Sequence, residues 1–325
     1  MKRNMLKLCA MLLSVTALTG AGAFAEESAV QVGSLKGPTS MGIVSLMEKA
    51  EAGETAYDYE FTMATAADDL LSQVIGGKLD IAMVPANVSS ILYNKTEGGI
   101  QVIDLNTLGV LYVVECGDTI QSISDLAGKT IYLTGKGTSP DYVLQYLLSE
   151  NGLSTDDVTL EYKSEATEVV SVLANDASAI GLLPQPFVTA AGMKNENLRI
   201  ALDLTAEWEK VQEESGSRLV TGVTIARSEF IEENPEIIAD FLSEHEASAA
   251  YTNENPADAA ALIAEKGIVE KAPIAEKAIP YCNITCVKGE EMKSALEGYL
   301  GVLCELDPTS VGGSLPSEDF YYILK

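Results

Sequence analysis

The chain carries one arrangement of elements twice: an apolar strand, a glycine- and proline-containing turn that opens a helix, and a later strand that ends in proline. The first copy runs from the turn at residues 36–40 to Pro85, and the second runs from the turn at residues 135–140 to Pro184. Short apolar strands that alternate with helical patterns indicate βαβ units around a mostly parallel sheet. We therefore expect two similar α/β lobes, each a mixed sheet flanked by helices, with a ligand cleft between the strand-end loops.

The N-terminus has the three-part layout of a secretory signal peptide. Three cations precede an apolar stretch at residues 8–18, and Ala23-Phe24-Ala25 stands before two glutamates. This pattern predicts a signal peptide over residues 1–25 that is cleaved after about Ala25. We expect an exported product, periplasmic or extracellular and cell-surface associated, and the sequence leaves open whether it is tethered to that surface.

Two apolar segments mark where the chain passes between the lobes. Residues 110–114 are apolar throughout, which is typical of a buried central strand or of an interlobe crossing, and residues 219–226 form a second apolar strand pattern. We expect lobe 1 to comprise residues 28–115 and 222–325, and lobe 2 to comprise residues 118–219. The hinge is then expected near residues 113–118 and 219–223.

The charge balance limits the partners of the chain. The sequence holds 48 acidic and 21 basic residues, a net charge of −27. Nucleic acid and anionic membranes attract clustered cations, so this balance argues against both as partners. We expect a monomer that binds no nucleic acid.

Cysteine and histidine give no recognisable metal motif. Cys116, Cys282, Cys286 and Cys304 follow the signal segment, without a C-x-x-C pair, and the pairing of any disulfide among them stays open. The single histidine, His245, lies in a helical pattern and is expected on the helix surface. We expect no metal and no cofactor.

Candidate ligand-binding residues lie in the duplicated turns and after the strand-ending prolines. Unpaired N–H groups at a helix start attract anions, although plain N-capping explains the same residues. Asn87 and Gln185 offer amides, Lys36 offers a positive charge for an anionic group, and Glu115 could bind a ligand amine. The complete candidate set is Lys36, Gly37, Pro38, Thr39, Ser40, Asn87, Glu115, Gly137, Thr138, Ser139 and Gln185.

The sequence shows no catalytic constellation. It lacks a plausible pair of His or Cys base and nucleophile, and it lacks G-x-S-x-G. We expect no catalytic residues and no enzyme activity. A hydrolase with paired carboxylates stays open, because 48 acidic residues supply many candidate pairs.

Several motifs resemble those of a known family. Leu35-Lys36-Gly37-Pro38-Thr39, the strand segment at residues 79–87, the "D-L-x-G-K-x-I" segment at residues 125–131, and Asn234-Pro235 with the helix that follows are similar to the solute-binding proteins of ABC importers. The nitrate/sulfonate/taurine group, with the binders of thiamine pyrimidine precursors, is the nearest subgroup. The resemblance covers essentially all of the chain after the signal segment.

The resemblance implies a type II periplasmic-binding-protein fold and a receptor that captures a small polar solute between its lobes. It further implies delivery to a membrane permease with a cytoplasmic ATPase. The loops hold no arginine to clasp a sulfonate, which departs from the sulfonate binders. Two alternatives are an enzyme of the same fold that acts on a pyrimidine precursor, and a ligand sensor that docks on a membrane kinase.

Overall fold

Two β-sheets flanked by helices organise the chain in a computed structural model that describes residues 29–323. The strands are β1 (Val30–Leu35), β2 (Tyr59–Ala64), β3 (Ile81–Pro85), β4 (Ile100–Leu108), β5 (Leu111–Glu115), β6 (Thr130–Thr134), β7 (Thr159–Lys163), β8 (Ile180–Pro184), β9 (Arg199–Asp203), β10 (Val220–Arg227) and β11 (Ile284–Val287). The helices are α1 (Pro38–Met41), α2 (Val44–Glu51), α3 (Ala67–Ile75), α4 (Ala86–Lys95), α5 (Ser139–Glu150), α6 (Ala166–Asn175), α7 (Phe187–Lys194), α8 (Leu204–Val211), α9 (Ser228–Glu233), α10 (Pro235–Glu254), α11 (Pro256–Glu265), α12 (Ala272–Ala278) and α13 (Gly289–Leu306).

The two sheets have matching strand orders. The first sheet runs β11-β4-β10-β3-β1-β2, and the second runs β9-β5-β8-β6-β7. In each sheet three strands are parallel, and the next strand along, β10 or β5, is antiparallel. The duplication that the sequence predicts is therefore present in the strand order itself, and the predicted fold class is confirmed.

The position of β5 corrects the predicted lobe boundary. β5 pairs with β8 and β9 in the second sheet, so lobe 1 does not extend to residue 115. The first crossing is the short link at Gly109 and Val110, between the end of β4 and the start of β5, and not residues 113–118. The return crossing lies between the end of α8 and the start of β10. A strand buried on both faces is apolar throughout, so its composition does not indicate which sheet it joins.

The two halves of the molecule are the first sheet with its helices and the second sheet with its helices. One apolar cluster continues from one half into the other. Trp208 of α8 is fully buried and packs against Tyr146 of α5 and Tyr299 of α13, with ring centroids 4.7 and 5.6 Å away. The Trp208 indole donates to Ser217 Oγ at 3.2 Å. Because α13 belongs to the C-terminal part of the chain, this aromatic group ties it to the second sheet's helices.

The surroundings of His245 correct the surface position expected from sequence. His245 is fully buried in α10, and its Nδ1 lies 3.0 Å from Asp104 Oδ2 on β4.

The four cysteines of the described residues, Cys116, Cys282, Cys286 and Cys304, have free thiols. The predicted signal peptide and its cleavage site lie outside the described residues. Between residues 29 and 323, the structure has no helix with the length and apolar character of a membrane span.

The first crossing leaves no room for a side chain. A Cβ on Gly109 would collide with Thr205 Oγ1 and would lie 2.7 Å from Leu219 Cδ2. We expect Gly109→Ala to lower the free energy of unfolding by about 1–3 kcal/mol, because the packed crossing has to shift. Urea denaturation measures this change.

Gly192→Ala is the matched control for this prediction. Gly192 lies in α7, and a Cβ there would meet nothing within 4 Å. Alanine favours helix over glycine, so this variant should be as stable as the parent or up to about 1 kcal/mol more stable. Equal stability of the two variants would contradict tight packing at the crossing.

Candidate functional site

A cavity of about 410 Å³ lies where the strand-end loops of both sheets meet the two crossings. The first half contributes the residues after β1 and β3, the second half contributes the residues after β6 and β8, and α13 adds one tyrosine. The lining residues are Leu35, Lys36, Pro38, Thr39, Pro85, Asn87, Val88, Val110, Leu111, Thr138, Ser139, Pro140, Val143, Pro184, Leu219, Val220, Thr221 and Tyr299. Six of the eleven predicted ligand-binding residues lie in this wall: Lys36, Pro38, Thr39, Asn87, Thr138 and Ser139.

The loop after β1 is a tight turn and offers little helix dipole. Gly37 has φ +116°, a conformation that favours glycine, and Pro38 begins the four-residue α1. The Thr39 hydroxyl donates to the Leu35 carbonyl at 3.0 Å. Ser40 is fully buried, and its hydroxyl donates to Ser34 Oγ at 2.8 Å and also contacts the Leu35 carbonyl. Ser40 therefore stabilises the turn through hydrogen bonds to β1 and does not line the cavity.

The loop after β6 already holds an anion of the protein. Asp141 is almost fully buried near the start of α5, and its carboxylate accepts from the Gly137 N–H at 2.8 Å. It also accepts from Tyr162 Oη at 2.7 Å and from Gln145 Nε2 at 2.8 Å. The Gly137 amide predicted to bind a solute anion is thus used by Asp141, and Gly137 is not among the lining residues.

Sequence reasoning missed Asp141, although a signal for it was present. Thr138 and Asp141 have the S/T-x-x-D spacing in which an acidic side chain caps the first turn of a helix. Thr138 is the N-cap residue, and its hydroxyl donates to the Gly135 carbonyl at 2.6 Å. Hydrogen bonds within the turn therefore occupy the Gly137 N–H and the Thr138 hydroxyl donor, although neither is an N-cap contact, whereas Ser139 lines the cavity.

Asn87 links the two halves of the cavity. Its Nδ2 donates to the Ser310 carbonyl at 3.2 Å, and its Oδ1 accepts from Ser139 Oγ at 3.4 Å. Ser139 is the first residue of α5, so this contact joins the end of the first sheet to the helix that follows β6. Asn87 therefore lines the cavity at the point where the two halves are joined by a polar contact.

Two tyrosines add hydrogen bonds between the halves. Tyr142 Oη on α5 donates to Asp307 Oδ2 at 2.7 Å, and Tyr112 Oη on β5 donates to the Tyr281 carbonyl at 2.7 Å. Burial and the hydrogen bond to the Asp307 carboxylate raise the pKa of Tyr142 to about 12. Sequence reasoning missed Tyr142 and Tyr299, since helical tyrosines carry no signal for a partner distant in the chain.

The wall is mostly apolar, and one cation is its only charged group. Among the lining residues of the described chain, Lys36 has a positive charge, and aspartate, glutamate, histidine, cysteine and arginine are absent. Four prolines, several aliphatic side chains and Tyr299 form the apolar part. Ligand pockets commonly combine such a wall with a few polar groups that orient the ligand.

Glu115 and Gln185 lie away from this cavity. Glu115 is 3% exposed, and its carboxylate accepts from Arg199 at 2.5 Å, from the Ile120 N–H at 3.0 Å and from Thr119. The expectation that Glu115 binds a ligand amine does not fit this placement, because the protein already pairs the charge. Gln185 is also buried, and its Oε1 accepts from the Thr189 hydroxyl at 2.8 Å.

A larger cavity of about 760 Å³ lies beside Gln185, on the α7 side of the second sheet. It is lined by residues of α7 and β9 and by Lys277, Pro280 and Tyr281, and none of the duplicated glycine-proline turns reaches it. Open α/β sheets bind ligands at the carboxyl ends of their parallel strands. The 410 Å³ cavity has that location and is therefore the better candidate for the main site.

Comparison with known proteins agrees with the fold, and a family model matches part of the chain. The family model described as NMT1/THI5 like matches residues 99–259. This part of the chain is similar to the NMT1/THI5-like family. The NMT1/THI5-like segment contains the complete second sheet, both crossings and α10.

Relatives and solved structures extend the likeness beyond that segment. A Brucella abortus (strain 2308) protein with the provisional description "binding protein" is 24% identical over 317 residues, which are 96% of this chain and 95% of that protein. An ABC transporter structure from Parabacteroides distasonis has TM-score 0.77 and 22% identity, with coverage of 92% of this chain and 100% of that one. The periplasmic aliphatic sulphonate binding protein SsuA of Escherichia coli has TM-score 0.70 and 15% identity, with coverage of 91% and 94%. The fold that the resemblance implies is thus shared with these solved structures.

The charge of the buried Glu115 carboxylate is expected to contribute to the free energy of unfolding. Burial opposes its charge, but the Ile120 and Thr119 donors and the Arg199 guanidinium outweigh burial and hold the pKa of Glu115 below its ordinary value. Such a group stabilises the fold above its unfolded pKa, and the contribution disappears as the pH falls through the folded pKa. We expect Glu115→Gln to cost roughly 1–3 kcal/mol at pH 7 and much less near pH 3.

Urea unfolding at the two pH values measures this difference. Glu161→Gln on the exposed face of β7 is the control, and it should change the free energy of unfolding little at either pH. A Glu115→Gln penalty that stays the same from pH 7 to pH 3 would rule out the charge as its source.

Proposed function

We propose that this protein is an extracytoplasmic solute-binding receptor that captures a small solute between its two halves. The observation that supports this proposal is the 410 Å³ cavity, to which both duplicated strand-end loops and both crossings contribute. A site divided between two halves can close on a ligand by hinge motion at the crossings. The ABC transporter and sulphonate-binding structures of the same fold support this function.

The chemistry of the wall favours a solute with an apolar body and a few polar groups. Lys36 can neutralise one negative charge or donate to a neutral acceptor, and Asn87 and Ser139 can both donate and accept. The lining residues include no arginine for bidentate recognition, and the Gly137 amide already pairs with Asp141. These features favour a neutral or weakly anionic organic molecule over a compact oxyanion.

Delivery to a membrane permease with its ATPase is the second part of this proposal. The named relatives and structural neighbours include an ABC transporter protein and a periplasmic sulphonate binder. An exported, monomeric receptor that moves between solute and permease is consistent with these neighbours and with the strongly acidic composition.

The wall gives no support to the alternative of an enzyme that acts on a pyrimidine precursor. None of the lining residues in the described chain is a histidine, a cysteine or a carboxylate that could act as nucleophile or base. The single histidine, His245, is fully buried and pairs with Asp104 outside this wall. We therefore propose binding without catalysis.

The hydrogen bond between Ser139 and Asn87 predicts that removal of the Asn87 side chain weakens solute binding. Native mass spectrometry of the purified protein identifies a solute that co-purifies, and isothermal titration calorimetry then gives its affinity. We expect Asn87→Ala to weaken binding by about 1–3 kcal/mol, because a buried polar group of the solute or of Ser139 loses its partner.

Asn175→Ala, on the exposed surface of α6, is the control and should bind as the parent does. Unchanged affinity in Asn87→Ala would remove Asn87 from the site. Turnover of the co-purified solute by the parent protein would refute a purely binding function.

The Tyr142–Asp307 hydrogen bond predicts a change in the balance between open and closed halves. Tyr142→Phe removes one hydrogen bond between the halves and leaves the ring in place. We expect a larger radius of gyration for the solute-free variant by small-angle X-ray scattering, and about 2–10-fold weaker solute binding, since a bond of this kind contributes about 0.5–1.5 kcal/mol.

Tyr59→Phe is the matched control, because Tyr59 Oη donates to Asp240 within the first half, at 2.8 Å. That variant should keep the parent's radius of gyration. If Tyr142→Phe scatters as Tyr59→Phe does, the Tyr142 contact does not hold the halves together.

A further inference from the structure

Three side chains with metal-binding atoms meet outside the cavity wall, although they are far apart in the sequence. Asp104 lies on β4, His245 on α10 and Cys286 on β11, and one ligand atom from each lies within 4.8 Å of the others. Asp104 and His245 are fully buried, and Cys286 is partly buried. These positions are brought together by the packing of α10 against β11 and by the pairing of β11 with β4.

We propose that Asp104, His245 and Cys286 form a binding site for one divalent transition-metal ion of the zinc type. Carboxylate, imidazole and thiolate are the ligands that zinc takes in proteins. Metal–ligand lengths of about 2.0–2.3 Å in a tetrahedron separate the ligand atoms by about 3.3–3.7 Å. The distance from His245 Nδ1 to Asp104 Oδ2 is 3.0 Å, and no two of the three ligand atoms are more than 4.8 Å apart. Coordination of one ion would therefore bring the ligand atoms closer together by about 1 Å at most.

The charges of the three ligands match a divalent ion. A carboxylate and a thiolate together supply two negative charges, and a neutral imidazole adds none, so the complex with a divalent cation is neutral overall. Burial of an isolated charge is costly, whereas a neutral metal complex avoids most of that cost. A divalent ion would therefore compensate the charge of the buried Asp104 carboxylate and replace the proton of the Cys286 thiol.

The hydrogen bonds around the cluster orient its side chains, and an ion would replace the contact between His245 Nδ1 and Asp104 Oδ2. Asp104 Oδ1 accepts from Thr224 Oγ1 at 2.8 Å, which orients the carboxylate and leaves Oδ2 towards His245. The Cys286 thiol has only a long contact of 3.9 Å to the Leu242 carbonyl. His245 Nε2 is buried and has no partner among the described residues. Ligands that are oriented by such neighbouring groups are typical of protein metal sites.

Three protein ligands leave one position of a tetrahedron for water. Cys286 lies on the edge strand β11 and is partly exposed, so an ion can reach the cluster from that side. The site is separate from the solute cavity, whose lining includes none of the three residues. Metal binding and solute binding can therefore be tested separately.

Cobalt binding tests the proposal with a readout specific to the thiolate. The full exported protein is reduced, stripped with a chelator and titrated with Co²⁺, whose bond to a thiolate absorbs strongly in the near ultraviolet. We expect this absorption to saturate at one Co²⁺ per chain and to be displaced by Zn²⁺. Carboxylates of the acidic surface cannot produce it, so non-specific binding does not interfere.

Variants identify the ligands and the residue that orients them. Cys286→Ser should abolish the absorption, whereas Cys304→Ser, a partly buried cysteine of α13, should leave it unchanged. Thr224→Val should weaken Co²⁺ affinity by about 10–100-fold, because it removes the hydrogen bond that orients Asp104.

A measurement on the parent protein covers the case in which a variant fails to fold. Zn²⁺ should slow alkylation of Cys286 by iodoacetamide, followed peptide by peptide with mass spectrometry, and should leave Cys304 unaffected. Absence of the near-ultraviolet absorption in folded, reduced protein would overturn the proposal and leave a structural Asp104–His245 pair. Absorption that persists in Cys286→Ser would overturn it as well.

Discussion

The fold depends on the backbone pairing of β5 and β10, the two strands that directly follow the crossings. Each is antiparallel to the third strand of its sheet's parallel group, β8 or β3, and each completes the sheet of the half that the chain has just entered. The link at Gly109 and Val110 joins β4 to β5 with two residues, so the halves cannot separate far at that point. This short tether directs the carboxyl ends of both groups of parallel strands towards one gap, and the cavity follows from that geometry.

The duplicated turns begin from similar sequences and reach different local structures. The first opens only the single turn of α1, and buried Ser34 and Ser40 hold it through hydroxyl contacts. The second opens the twelve-residue α5, and the Asp141 carboxylate of its first turn accepts from the Gly137 N–H just before the helix. A helix start with its own carboxylate has less attraction for an external anion. Among the lining residues that the structure describes, Lys36 is the one charged group, so the proposed preference for an organic solute over a bare oxyanion rests on both features.

The sequence predicted the alternation of elements and both strand-end loops, because these depend on local apolar patterns and on glycine and proline. Six of its eleven proposed ligand-binding residues lie in the cavity wall, since residues that directly follow parallel strands are placed by the sheet itself. The sheet membership of β5 was wrong, because a strand buried on both faces has the same composition in either sheet. The surface position of His245 was wrong for a related reason. Its charged neighbours Glu244 and Glu246 indicate an exposed helix face, and only the distant Asp104 explains a buried imidazole.

The buried polar side chains of the first sheet connect the Asp104 cluster to the floor of the cavity. Thr224 Oγ1 donates to Asp104 Oδ1, Asn106 Nδ2 donates to Thr224 Oγ1 at 3.3 Å, and Thr107 Oγ1 donates to Asn106 Oδ1 at 2.9 Å. Gly222 allows Asn106 and Thr39 to approach one another, because a Cβ there would lie 2.5 Å from atoms of both side chains. Thr39 lines the cavity, so the chain of contacts ends at the cavity wall. An ion that fixes Asp104 would restrict the same strands on which Thr39 rests. If ion binding changed the affinity of the protein for a solute, solute binding would change the affinity for the ion by the same factor, because the two binding equilibria are linked.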